Sequence, residues 1–178
     1  ECYCDETSLS QGIQVSDIFE NYSVIAPDST WSVETSNGDS GPYVTMAKMD
    51  GDQILALSIS QLKKIDPWPS KEEALEEIRS ENNVLQEGDL VVDSLQGYWN
   101  VVLHEDSTVS LNVTLEQVES NTFFSISLFN STALSRDYHQ ALCQLEPLLF
   151  SFKRNELWDD FQLNITKKYK RTDQELGG

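Results

Sequence analysis

Chemistry that needs an imidazole has two starting points here, His104 and His139, so any serine- or cysteine-type nucleophile, base and orienter set would have to use one of them. His104 closes an alternating segment beside Glu105 and Asp106, a pattern that an edge turn explains. His139 follows Tyr138 and stands three residues before Leu142, the spacing of a half-exposed helical position. The sequence contains no His-Glu-x-x-His, no phosphate-cradling glycine loop, no dinucleotide fingerprint and no nucleophile elbow. Acid–base work by paired carboxylates is an alternative, drawn from Asp50, Asp52, Glu105 and Asp106. It requires two of them to converge in a pocket within about 5 to 10 Å. Asp50-Gly51-Asp52 lacks the further ligands and closing glutamate of a calcium loop and reads as a turn. The expectation is therefore no catalytic set, no metal site and no cofactor.

Recognition chemistry is better supplied. Of the four tryptophans, Trp31, Trp68 and Trp99 are candidate binding residues, because an exposed indole can anchor an interface; Trp158 lies in the tail. Trp68 stands out because Pro67 and Pro69 place it in a connection. Four Asn-x-Ser/Thr sequons, at Asn21, Asn112, Asn130 and Asn164, are glycosylation candidates and favour an exported chain. The cysteines number three, Cys2, Cys4 and Cys143, so at least one thiol is free or pairs between chains. Either Cys2 or Cys4 bridges to Cys143, or Cys143 is buried as a small hydrophobe, which its apolar surroundings favour. Cys2-Tyr3-Cys4 has no histidine near it to complete a zinc site.

Charge narrows the partners. The 178 residues carry 30 acidic and 12 basic side chains, a net −18, which argues against binding nucleic acid or anionic lipid headgroups. Residues 1–152 hold 25 acids against 6 bases, and residues 153–178 hold 5 against 6, so the acidity belongs to the domain and the tail is near neutral. No stretch reaches the roughly 18 to 20 apolar residues of a membrane span. Contact with a membrane is expected only through an anchor ahead of Glu1.

The elements that would position these residues follow from periodicity. Tyr22 to Ala26, Trp31 to Thr35, Tyr43 to Lys48 and Gln53 to Ser60 read as strands, with Asn37-Gly38-Asp39-Ser40-Gly41 and Asp50-Gly51-Asp52 as turns. Ser70-Lys71-Glu72-Glu73 has capping-box spacing, so a helix starts at Ser70, and Asn82 and Asn83 suit its exit. Asp89 to Asp93, a turn at Ser94 to Gly97, and Tyr98 to His104 come next. Val109, Leu111, Val113 and Leu115 then alternate with polar residues, and Phe124, Ile126 and Leu128 repeat the pattern, predicting an antiparallel hairpin with one polar face. Tyr138, Ala141, Leu142, Leu145 and Leu148 keep helical spacing, with Pro147 as a kink or stop. The domain reading is a polar leader over 1–19, an α+β domain over 20–153 and a tail over 154–178.

The order of these pieces resembles the PsbP-like family over about residues 20–153. The likeness rests on Ile25-Ala26-Pro27 followed by Trp31, on the helix led by Ser70, on Asp93 and Gly97 opening a strand, and on Leu149-Phe150-Ser151-Phe152-Lys153 at the close. The family includes an extrinsic photosystem subunit, a nuclear Ran-binding factor and small secreted lipoproteins. The resemblance implies an antiparallel sheet flanked by helices, an α/β/α sandwich, and an accessory role without catalytic residues. The acidity of this domain departs from the basic photosystem member, so that docking role and its metal-retaining residues are not carried over.

The functional expectation is a non-catalytic secreted or surface-anchored accessory domain, extracellular or at the cell surface, that binds a protein or cell-envelope partner. It would do so through the polar face at Ser110, Asn112 and Thr114 or a cleft near Trp31 and Trp99. The alternatives are a small-ligand carrier and the acidic-pair hydrolase.

Overall fold

The computed structural model describes residues 8–118, 121–134 and 136–155. The chain runs β1 (Ile13–Ser16), β2 (Tyr22–Ala26), β3 (Ser32–Gly38), β4 (Gly41–Asp50), β5 (Gln53–Lys63), α1 (Lys71–Glu81), β6 (Asn83–Val92), β7 (Leu95–Leu103), β8 (Thr108–Gln117), β9 (Thr122–Leu134), α2 (Tyr138–Cys143), α3 (Glu146–Phe150) and β10 (Lys153–Arg154). A seven-stranded antiparallel sheet has the order β3-β4-β5-β9-β8-β7-β6, and a three-stranded sheet the order β1-β2-β10. Among the described residues no helix is long and apolar enough to cross a membrane.

Alternation along the central strands gives the large sheet one mainly apolar and one mainly polar side, because successive side chains of a strand point to opposite faces. On the inner face, Thr35, Val44, Ile59, Ile126, Val113 and Trp99 stand in one cross-strand row, beside Met46, Leu57, Leu128, Leu111 and Val101 in the next. The small sheet covers this face: Tyr22, Val24 and Ala26 of β2 are buried in the same core, with Leu145, Leu148, Leu149 and Phe152. Tyr22, Phe124 and Phe152 form an aromatic triad with ring centroids 4.9 to 5.9 Å apart. The Tyr22 hydroxyl lies 3.1 Å from both the Pro42 and Ile59 carbonyl oxygens, tying the two sheets together.

The α+β sandwich expected from the sequence is corrected. Of the described residues 56% are strand and 16% helical, a β-rich fold rather than a sheet flanked by helices. Three departures explain the misreading. Residues 83–92, read in part as a helix exit, form a ten-residue edge strand. The late apolar run does not make one long helix, because it breaks at Gln144 and Leu145, ahead of Pro147, into a six-residue and a five-residue piece. The leader contains β1, which pairs with β2 from Ile13↔Ala26 to Ser16↔Ser23. The turn between them is held by the buried Asp17 carboxylate, which accepts from the backbone N–H groups of Phe19, Asn21 and Tyr22.

Local turn chemistry closes the hairpins. Asp93 and Ser94 both take positive φ, 48° and 64°, the conformation of a two-residue hairpin turn that matches strand twist, so the turn falls there and Leu95 to Gly97 are already strand. Gly97 has no side chain for a reason: a Cβ there would lie 2.0 Å from the Thr114 carbonyl oxygen. The Ser70 capping box is present as the spacing predicts, with Glu73 N–H donating to Ser70 Oγ and Ser70 N–H donating to Glu73 Oε2.

Candidate binding surface

The outer face of the large sheet carries polar rows across all seven strands. One row is Glu34, Thr45, Ser58, Ser127, Asn112, Asn100 and Glu87; the next is Ser36, Tyr43, Ser60, Ser125, Thr114, Tyr98 and Asp89. Small hydroxyls dominate the middle. Thr45 and Ser58 hydroxyls bond across strands at 3.3 Å, as cross-strand hydroxyl pairs do.

This face divides into two halves. At the β6 edge, Lys71 pairs with Asp89 and Arg79 with Glu87, so both ends of α1 are fixed to outer-face carboxylates of β6. Leu75 of α1 is buried, and on the sheet beside this helix Tyr98, Asn100, Val102 and Ser110 are 4 to 6% exposed. Burial pushes the Tyr98 phenol above its ordinary pKa. The polar groups in this half are spent on one another: Asn112 Nδ2 donates to Asn100 Oδ1 and Ser110 Oγ, and His104 Nε2 lies 2.8 Å from Ser110 Oγ. Across β3, β4, β5 and β9, the outer side chains Thr45, Ser58, Ser60 and Ser127 are half-buried, and Ser125 is exposed. Tyr43 and Phe129 lie half-buried on the same side. Of the segment expected to form a docking face, Ser110 is buried, while Asn112 and Thr114 are half-buried like the hydroxyl residues of the neighbouring strands. Sequence alternation signals that a polar face exists, and nothing in it locates the helix.

The three candidate tryptophans do not converge. Trp31 is 7% exposed and belongs to the main core. Trp68 is half-buried and stacks on Phe123 of β9 at 4.7 Å, with Lys64 Nζ 5.3 Å from its ring centroid and Lys64 paired to Glu116 at 3.0 Å. It packs at one end of the outer face and is no free anchor. Trp99 lies on the inner face, flat against Gly88 of β6, where a Cβ would come within 2.9 Å of the indole. Trp99 lines a cleft of 250 Å³ with Tyr138, His139, Leu142, Cys143 and Phe150. A second, open groove of 740 Å³ runs beside Tyr98, Glu116 and Gln117; its Lys71 and Arg154 face Asp89 and Asp93 as ion pairs.

Asp50, Asp52, Glu105 and Asp106 are exposed and line neither cavity. Asp106 serves its turn: the Thr108 hydroxyl, then the Thr108 N–H, hold its carboxyl below the usual range. Among the described residues no three His, Cys, Asp or Glu side chains are grouped to hold a metal.

Of the sequons, Asn130 is fully buried, and its Nδ2 donates to the Ala141 carbonyl at 2.9 Å. Its Oδ1 accepts from both the N–H and the hydroxyl of Thr132. Asn21 Nδ2 donates to Gln61 Oε1 at 2.8 Å. Asn112 is half-buried on the outer face. Asn164 and Trp158 lie outside the described residues. Cys143 is disulfide-bonded, so the expectation of a buried free thiol there is corrected, and its surroundings are half-buried. Its partner lies outside the described residues.

Neither protein-family models nor curated proteins match the chain.

Proposed function

We propose that this chain is a non-catalytic accessory domain of the cell exterior that holds a protein or cell-envelope partner on the open half of its outer sheet face. The observation that carries the reading is the hydroxyl-rich outer surface of β3, β4, β5 and β9, where Ser125 is exposed and Thr45, Ser58, Ser60 and Ser127 are half-buried, away from the β6 edge to which α1 is paired. A sheet of this width needs only one buried face to fold, so the second can serve recognition. The Cys143 disulfide supports an oxidising compartment. A carrier role has weaker support: the cleft beside Trp99, at 250 Å³, falls below the usual range of small-ligand sites, roughly 300 to 1,000 Å³, and the 740 Å³ groove within that range is open and lined by the charged Lys71, Asp89, Glu116 and Arg154 rather than being a closed apolar cavity.

Sedimentation of the purified chain with the insoluble envelope fraction of its source organism tests this. The wild type is expected to co-sediment, Ser58→Arg and Ser127→Arg to lose binding at least about tenfold, and the charge-matched Gln140→Arg, at an exposed position of α2, to retain it. Equal binding by all four, or none by the wild type, overturns the proposal.

A further inference from the structure

The seven-stranded sheet ends in two edge strands, β3 and β6, and an edge leaves a row of backbone N–H and C=O groups without partners. The two edges are not alike. β6 is blunted: its register slips between Val84 and Gln86, and Arg79 and Lys71 of α1 pair with its Glu87 and Asp89. β3 has none of these devices. Its seven residues contain no proline, lysine or bulge, and they pair with β4 in unbroken register from Ser32↔Ala47 to Gly38↔Gly41. Val33, at 43%, is exposed, as are Glu34 and Asn37. Pro42 of β4 shows which backbone groups of β3 point outward. It stands opposite Asn37, has no N–H, and its carbonyl oxygen accepts from the Tyr22 hydroxyl at 3.1 Å. The Asn37↔Pro42 pair is therefore of the non-hydrogen-bonded kind, and the two kinds alternate along an antiparallel ladder. Glu34 and Ser36 bond to β4, whereas the N–H and C=O groups of Val33, Thr35 and Asn37 point away from the sheet. Among the described residues no strand lies on that side.

We propose that the β3 edge takes an extended, lysine- or arginine-bearing segment of a partner protein as an added strand. Val33, Thr35 and Asn37 each present one donor and one acceptor, a set that another extended backbone matches group for group. Charge selects the occupant. Glu34 on β3, Asp39 at its turn and Asp28 ahead of Trp31 are acidic, against Lys48 near Asp28. The Glu34 carboxylate accepts from the Tyr43 hydroxyl at 2.9 Å, which holds it on the outer side and leaves acceptor capacity for an ammonium or guanidinium. A second copy of this chain would match the backbone groups and fail on charge, because each copy carries a net −18. A strand with basic side chains on the outer side and a β-branched one beside Val33 suits both sides of the edge. The edge is separate from the outer face, so this inference and the proposed function stand or fall independently.

The test uses the full chain and a synthetic peptide that alternates lysine with valine over seven residues, the length of β3. Amide hydrogen exchange followed by NMR reads each N–H separately. Excess peptide is expected to slow exchange at Val33, Thr35 and Asn37 at least about tenfold, to leave Glu34 and Ser36 unchanged, and to act less as salt is raised. The same peptide with glutamate in place of lysine is expected to protect none of the three. Thr35→Pro deletes one outward donor and no bond to β4, and should abolish the protection of Val33 and Asn37 while the inner strands stay protected. Glu34→Gln keeps the Tyr43 contact and should weaken peptide affinity about two- to fivefold. No slowing with the lysine peptide, equal slowing with the glutamate peptide, or undiminished protection in Thr35→Pro overturns the proposal. Protection of these amides without peptide, in a chain that sediments as a dimer, also overturns it by making a second copy the occupant.

Discussion

The two faces of the seven-stranded sheet share one backbone and differ only in residue parity. The row through Val44, Ile59, Ile126 and Val113 is 0 to 1% exposed, whereas the adjacent row through Thr45, Ser58, Ser127 and Asn112 carries hydroxyls and amides. The inner face is explained by its cover, the small sheet, α2, α3 and Phe152. On the outer face, α1 and its ion pairs meet the sheet at β6, beside the buried Tyr98, Asn100 and Val102 of β7. The teaching of the difference is that stability resides on one side of the sheet, so the composition of the open half of the other is free to answer to a partner.

The largest expected effect sets the two faces directly against each other. Leu57→Ala, at a fully buried inner position, should cost about 3 to 5 kcal/mol in urea unfolding. Ser58→Ala beside it should stay within about 0.5 kcal/mol. Comparable losses would erase the distinction. Reducing the Cys143 bridge should remove about 2 to 4 kcal/mol, read as a lower unfolding midpoint with dithiothreitol.

The sheet-to-sheet contact has a pH signature. Burial, and then the neighbouring Asp17 carboxylate, push the Tyr22 phenol far above its ordinary value. The folded state therefore keeps a proton that the unfolded chain releases above about pH 10. Stability should be undiminished by this group below that pH and fall as pH rises beyond it. In Tyr22→Phe that alkaline decline should flatten, at the cost of the donor to Pro42 and Ile59. A wild type with no decline above pH 10 contradicts the tie. The smallest effect sharpens the division within the outer face: Ser70→Ala should cost about 1 kcal/mol through loss of the capping box. Hydrogen exchange should then quicken in α1 and not in β4 or β5.

Parts of this were legible in the sequence. The apolar run of Gln53 to Ser60 located β5, the alternation of Val109 to Glu116 located β8 and its polar side, and Ser70-x-x-Glu73 located the start of α1. The edge strand β6 was not legible, because Gln86 and Gly88 occupy inner positions that Trp99 and its neighbours fill from β7. The cover of the outer face was hidden for a topological reason. The connection through α1 passes from the third strand in the sheet order to the seventh, and no local pattern encodes where such a crossover lands. Trp31 illustrates a further limit: an indole after a turn has the same spacing whether it enters the core or faces a partner.

The most direct test of the central claim is hydroxyl-radical footprinting of the chain with and without the envelope fraction. Protection is expected at Tyr43 and Phe129, on the outer face, with Trp99 and Phe150 at the inner cleft unchanged. Protection of Trp99 and Phe150, with Tyr43 and Phe129 still reactive, would contradict it and move recognition to the cleft.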